Sequence, residues 1–424
     1  MSGAGRAGAG ARWAWAPSVA LWLAGCRVTA LAPGDGGGGE AAAVTPAPPF
    51  DPTGDVDPFI GTAAHGHTFP GATWPFGMVQ LGPDTRLTGW DGCSGYHYDD
   101  AVVHGFSHTH LSGTGIADYA DVMIVPTVIG GPARTPPDPE HPFAMRFDHA
   151  DEDAGPGWYR LRLREPEIEV ELTATPRVGL HRHRFSGLAG GEPGLVLDLR
   201  HRDEVLEAWV EQVSPTEWVG LRRSRSWARD QRVYFAARLS RPVASVTSLG
   251  EATEREAAGH RRWEGTDVRL QLALSPGDEP LVVAVALSPV DVDGARANLR
   301  AEAPHDDFDA YLGQARERWR EALAAVEIEG GTRAQRRTFY TALYHSMLAP
   351  NLYEDVDGRT RGMDGEIHRT PGHTAYTVFS LWDTFRAAHP LLTILEPERS
   401  ADFVRTLLHQ ARTGGRLPMW ELAA

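Results

Sequence analysis

The chain has 424 residues, with 41 Lys+Arg against 56 Asp+Glu and a formal charge of −15. Its basic residues are all arginine, and the acidic excess leaves no basic face for a phosphate backbone, which excludes nucleic acid as a partner. Hydrophobic residues at 42% exclude wholesale disorder, two cysteines exclude a disulfide framework, and the length suits two domains.

Arg6 and Arg12 precede an apolar run from Trp13 to Gly25. The run is too short to span a bilayer and has the shape of a secretory signal. It ends Leu23-Ala24-Gly25-Cys26, which resembles a bacterial lipobox with Cys26 as the acylated residue; the alternative is ordinary cleavage near Ala32. Residues 1–26 therefore read as a lipoprotein signal. Residues 27–54, rich in Gly, Ala and Pro, read as a disordered linker that cannot bury a core. The resulting expectation is a body leashed to the bacterial envelope through a lipid anchor. Arg27 after the cysteine favours the outer membrane in a Gram-negative source.

Residues 57–126 are dense in Gly, His, Pro and aromatics. They run Asp57-Pro58-Phe59-Ile60-Gly61-Thr62, Pro75-Phe76-Gly77-Met78-Val79-Gln80-Leu81-Gly82-Pro83-Asp84, and Gly92-Cys93-Ser94-Gly95-Tyr96-His97-Tyr98. Gly105-Phe106-Ser107-His108-Thr109-His110-Leu111-Ser112-Gly113 follows. His108 and His110 have the spacing of two metal ligands, repeated by His65 and His67, and Asp118 or Asp121 is a possible third ligand for zinc. The competing reading is that these histidines bond backbone carbonyls in an irregular fold. Cys93 has no matched base and reads as structural.

From Trp158 to Pro289 the period is two. Tyr159, Leu161 and Leu163 alternate with arginines, and Ile168, Val170 and Leu172 with glutamates. Val268, Leu270, Leu272 and Leu274 repeat the pattern, and Leu281–Leu287 is a buried run. Short alternating strands separated by turns predict an antiparallel β-sandwich. After Pro304 the period becomes 3.6. Phe308, Tyr311, Leu312, Ala315, Trp319, Ala322, Leu323 and Val326 share a helical face. A second helix opens on a capping box, Thr332 with Gln335, and runs to the residue before Pro350. A third is expected over 377–389 and a fourth from Pro397 to before Gly414. These helices have more apolar face than they can bury among themselves, and the chain stops at Trp420-Glu421-Leu422-Ala423-Ala424 without a domain-ending signal, as a truncated chain would.

Two late motifs extend the pattern of 57–126: Tyr376-Thr377-Val378-Phe379-Ser380-Leu381-Trp382-Asp383-Thr384-Phe385-Arg386 and Gly415-Arg416-Leu417-Pro418-Met419-Trp420-Glu421-Leu422. Together with the first segment they resemble glycoside hydrolase family 92, the calcium-dependent exo-acting α-mannosidases. The 13 tryptophans suit a sugar-binding protein. The resemblance implies a β-sandwich over 55–300, a linker helix over 301–331 and part of an (α/α)6 barrel over 332–424, with the active site at their junction. It implies removal of terminal α-mannose from mannose-rich N-glycans by an inverting mechanism, with calcium in the site. It assigns Trp90, Trp420 and Asp383 to the terminal mannose, with Arg386 as the neighbour of Asp383. Inversion needs two carboxyl groups flanking the bond. Glu421 and Asp383 are not nominated as that pair, because the family's acid, base and most calcium ligands fall beyond Ala424; the chain alone is expected to be inactive. The alternatives are a non-catalytic glycan-binding lipoprotein and a peptide N-glycanase-like enzyme, whose Cys-His-Asp set does not assemble around Cys93. Metabolic labelling with a fatty acid is expected to mark the wild type and not Cys26→Ser; equal labelling of both, or of neither, contradicts the lipobox.

Overall fold

The computed structural model describes residues 50–131, 135–257 and 259–423. The signal, Cys26 and positions 27–49 of the expected linker lie outside them. The last five linker residues differ from the expectation, because they are ordered. Phe50 sits 6.2 Å from the Tyr340 ring, and Asp51 accepts the Thr53 amide at 3.0 Å. No helix among the described residues is long and apolar enough to cross a membrane.

The first part of the chain is β-rich, with two antiparallel sheets of seven and ten strands. The period-two segments over 158–174 and 281–288 form strands of the larger sheet, and Arg269–Leu274 is a strand of the smaller one. In Trp158–Arg164, Tyr159, Leu161 and Leu163 point inward and the arginines outward. Glu167–Ala174 pairs with it in register, Leu161 opposite Val170. The two sheets share one core, in which Leu81, Phe106, Leu195 and Leu270 of one sheet meet Leu161, Val170, Phe235 and Val285 of the other.

Leu281–Ser288 is buried at every position because it lies inside the ten-stranded sheet with both faces covered. Leu281, Val283, Val285 and Leu287 face the shared core. Val282, Ala284 and Ala286 face Ala295 and Leu299 of helix α1 (Val292–Glu302) and Phe308 and Tyr311 of helix α2 (Phe308–Leu323). Helix α1 was not expected from the sequence. It starts four residues after the strand, capped by the Asp291 side chain on the Gly294 amide at 2.6 Å, and its apolar face is short. The expected linker helix over 301–331 is in fact the end of α1, a break, and α2.

Helix α3 (Arg333–His345) opens on the capping box of Thr332 and Gln335 but ends before Pro350 is reached, at His345. The single helix expected over 377–389 is not formed. Tyr376–Thr377 pairs with Asn351–Leu352, and Phe379–Ser380 pairs with Trp420–Glu421. Val378 between them has φ +65°, a conformation that a β-branched residue adopts only under external constraint. Helix α4 (Leu381–Thr384) is one turn, and α5 (Ala388–Leu395) accommodates Pro390 in its first turn, where the missing N–H is harmless. Helix α6 (Pro397–Gly414) runs as expected, with Gly415 in the left-handed position that ends it. Between α3 and α4 the chain is extended, including a hairpin of Arg359–Arg361 with Ile367–Arg369.

A fully buried ion pair links the sheets. Arg222, on the strand Glu217–Arg225, donates to Asp121 at 2.5 Å and to the Leu199 carbonyl at 2.9 Å. Asp121 also accepts from Thr109 at 2.7 Å and from Gln231 at 2.8 Å. Removing one partner strands the other charge in the core, so Arg222→Ala is expected to lower stability by about 3–5 kcal/mol. Combining Asp121→Asn with Arg222→Met should cost less than the sum of the single changes, as read by chemical denaturation; additive effects contradict the coupling.

Candidate functional site

Three tryptophans from distant parts of the chain meet where the β-rich part touches the helical region. Trp420 is half-buried and lies 4.3 Å from Trp227 and 6.2 Å from Trp382, ring centre to ring centre. Trp227 and Trp382 are 47% and 56% exposed, so a broad aromatic surface faces solvent. The Trp420 indole N–H is buried without a partner. Flat apolar faces with one unused donor suit a sugar ring, whose C–H side stacks and whose hydroxyls accept.

Each tryptophan is placed by local chemistry. The Ser380–Trp420 register of the short ladder puts residue 420 beside the start of α4, and therefore beside Trp382 and Asp383. Trp227 sits in the loop after Glu217–Arg225, pinned on both sides. The Ala228 amide donates to Asp118 at 2.8 Å, and the Ser226 hydroxyl donates to the Ala117 carbonyl at 3.0 Å. Beneath, Leu111, Tyr119, Ala228, Val378, Leu422 and Ala423 form an apolar floor.

Asp383 is exposed and accepts from the Ser380 hydroxyl at 2.6 Å. It makes no pair with Arg386, whose guanidinium lies 5.0 Å over the Phe385 ring instead. Its aromatic neighbours Trp382 and Phe385 are 56% and 58% exposed. Trp90 is 59% exposed, edge-on to His67 at 4.7 Å. It also lies against Gly115, where a Cβ would come within 2.6 Å of its ring. The loop 112–118 thus touches Trp90 at one end and the Trp227 loop at the other. Trp227 and Trp382 are contributors that the motif comparison did not nominate; Trp227 stands in a Ser-Trp-Ala loop with no spacing signal.

Glu421 points the other way from this surface. It is 4% exposed and accepts from Thr377 at 2.6 Å, and the Ala423 amide bonds the same hydroxyl at 2.7 Å. Burial pushes its carboxyl up to about 7 against the pull of these hydrogen bonds.

Of the histidines weighed as zinc ligands, His65, His108 and His110 turn to other partners, and His67 stands edge-on to Trp90. His108 Nδ1 bonds the Val122 carbonyl at 2.6 Å and His110 Nδ1 the Gln80 carbonyl at 2.8 Å. His65 Nδ1 bonds Asp91 at 2.6 Å, Asp118 holds Ala228, and Asp121 holds Arg222. They do not converge on a single ion. Cys93 is buried and donates to the Trp90 carbonyl at 2.8 Å. Calcium takes six to eight oxygens. Among the described residues one trio of His, Cys, Asp or Glu lies close enough to share an ion, His104 with Asp138 and His141, and its two imidazoles do not suit calcium.

Residues 55–288 match the glycosyl hydrolase family 92 N-terminal domain and residues 294–424 the family 92 catalytic domain. A family 92 α-mannosidase of Bacteroides thetaiotaomicron, solved with mannoimidazole bound, is 29% identical with a TM-score of 0.80, over 88% of this chain and 50% of that one. A family 92 inverting mannosidase of B. thetaiotaomicron VPI-5482 is 28% identical with a TM-score of 0.73, over 87% of this chain and 50% of that one. An uncharacterized secreted glycosidase of Arthroderma benhamiae is 26% identical over 329 residues, 70% of this chain and 41% of its own length. The chain therefore spans about half the length of these relatives. With matches covering nearly all of 55–424, the chain belongs to glycoside hydrolase family 92.

Proposed function

We propose that these residues form the mannose-holding half of a secreted, calcium-dependent, inverting exo-α-mannosidase acting on mannose-rich N-glycans. The observation that carries the reading is the Trp227–Trp420–Trp382 surface with Asp383 at its edge, presented at the junction between the β-rich part and the helices. Relatives whose names give α-mannosidase activity support the substrate class. Trp420, Trp382 and Trp227 hold the sugar face, and Asp383 accepts from its hydroxyls. Trp90 and Arg386 border the site. A lipid anchor on Cys26 would hold the enzyme at the envelope.

The acid and base are assigned outside these residues. Protonating the leaving oxygen and activating water on the opposite face need two separate carboxyl groups. Asp383 is committed to hydroxyls, and Glu421 is enclosed. The exposed apolar side chains of the helical region, including Ile394 at 75% and Val404 at 57%, support a barrel completed by further helices. A non-catalytic glycan-binding protein would use the same aromatic surface, and turnover separates the two. The 424-residue chain is expected to release no mannose from α-mannobiose. A chain extended to the length of its relatives is expected to release it, with loss of activity on calcium chelation. In that longer enzyme, Asp383→Ala or Trp420→Ala should lower kcat/KM by about ten- to a hundredfold. Robust turnover by the 424-residue chain contradicts the assignment and points to Glu421.

Glu421 offers a second test. Its folded pKa is raised, so the folded chain holds the proton more tightly than the unfolded chain. The stability it contributes is full below the ordinary value of 4.5 and is lost as pH rises to about 7. The loss is up to roughly 3 kcal/mol. Glu421→Gln should flatten the pH dependence of unfolding over this window; an unchanged slope contradicts a buried, neutral Glu421.

A further inference from the structure

We infer that His104, Asp138 and His141 form a binding site for a divalent transition metal ion of the zinc class, on the β-rich part of the chain and separate from the tryptophan surface. Each residue offers one ligand atom, and these atoms lie within 4.8 Å of one another.

The backbone brings them together for local reasons. His104 is the single residue between the strands Val102–Val103 and Gly105–Ser107, and its amide donates to the Asp84 carbonyl at 2.8 Å. Val102–Val103 pairs with Met145–Arg146, Val103 opposite Met145, which lays the preceding turn against His104. Within that turn the His141 amide donates to the Asp138 carbonyl at 3.2 Å, and Asp138 Oδ1 accepts the Glu140 amide at 2.9 Å. Asp138 Oδ2 lies 2.9 Å from His141 Nδ1. The His104 and His141 rings meet edge to face at 4.8 Å.

A surface pair of Asp138 with His141 would explain the turn alone. It does not explain His104, which is 8% exposed and whose Nδ1 is buried without a hydrogen-bond partner. A buried ring nitrogen left unpaired is costly, and a metal ion satisfies it. Bonds of about 2.0–2.2 Å would bring tetrahedral donors to roughly 3.4 Å apart, a closing movement on the order of 1 Å. The half-exposed turn of Asp138 and His141 can make it. Two imidazoles and one carboxylate are a zinc-type set, and they leave a fourth position for water or a ligand. His141 also lines a groove of about 820 Å³ walled by Arg200, Arg202 and Arg269 with Asp198 and Asp203.

The test uses the untagged chain, stripped with EDTA and titrated with zinc chloride by calorimetry and with cobalt chloride by visible absorption. One equivalent of zinc should bind, and cobalt should show the intense bands of a four-coordinate site. His141→Gln and Asp138→Asn, both on the exposed side of the turn, should each weaken binding by at least about tenfold while circular dichroism stays unchanged. His65→Gln, which alters the pair with Asp91, and His368→Gln, whose ring lies 3.0 Å from Asp364, should leave binding intact. Absence of saturable binding overturns the inference. So does equal affinity in His141→Gln, loss of binding only in His65→Gln or His368→Gln, or displacement of zinc by millimolar calcium.

Discussion

Asp121 and Arg222 are fully buried, and each is bound from several sides. A charge in a protein interior survives only when its partner and its remaining hydrogen bonds are all in place. That requirement fixes the loop between Thr109 and Asp121 against a strand of the larger sheet. The end of this loop and the residue after it carry three non-glycine residues in the left-handed region within four positions, Tyr119, Ala120 and Val122. Each costs on the order of 1–3 kcal/mol, and the side-chain bonds of Asp118 and Asp121 hold them there. Asp118, three residues from the ion pair, then secures the Ala228 amide and with it Trp227. A constraint deep in the β-rich part thereby positions an aromatic side chain at the surface.

The second half of the site obeys a similar logic from the helical side. Trp319 of α2 donates its indole N–H to the Thr73 carbonyl at 2.7 Å, tying the helices to the edge of the smaller sheet. Val378 is forced into a left-handed turn, so that Thr377 and Phe379 serve two different short ladders. One ladder carries Trp420 to Trp382 and Asp383. The aromatic surface is therefore assembled by contacts between segments nearly 200 residues apart, and neither half is complete alone.

Much of this was legible in the sequence where a physical period was long enough to read. The alternation of Tyr159, Leu161 and Leu163 gave their strand and its inward face, and the capping box of Thr332 with Gln335 gave the start of α3. The helix over 377–389 failed because its apolar residues belong to ladders closed by partners outside the segment, Asn351–Leu352 and Trp420–Glu421. Helix α1 was hidden because only its two-sided partner strand, buried at every position, reveals the need for a cover. At the site, Trp420 and Asp383 came from motif resemblance, whereas Trp227 is visible only in three dimensions. The His108 and His110 spacing was a false lead for zinc, since each ring is satisfied by a backbone carbonyl. His104, one strand earlier, has no such partner for its buried nitrogen, and its companions lie more than thirty positions further on.

The central claim is that the junction of Trp227, Trp382 and Trp420 with Asp383 is where a terminal mannose is held. A crystal of this chain soaked with α-mannobiose tests it most directly. The account requires the non-reducing sugar to lie against the Trp420 face with a hydroxyl within hydrogen-bond distance of Asp383. Ordered sugar elsewhere on the molecule, with the tryptophan surface bare, contradicts it.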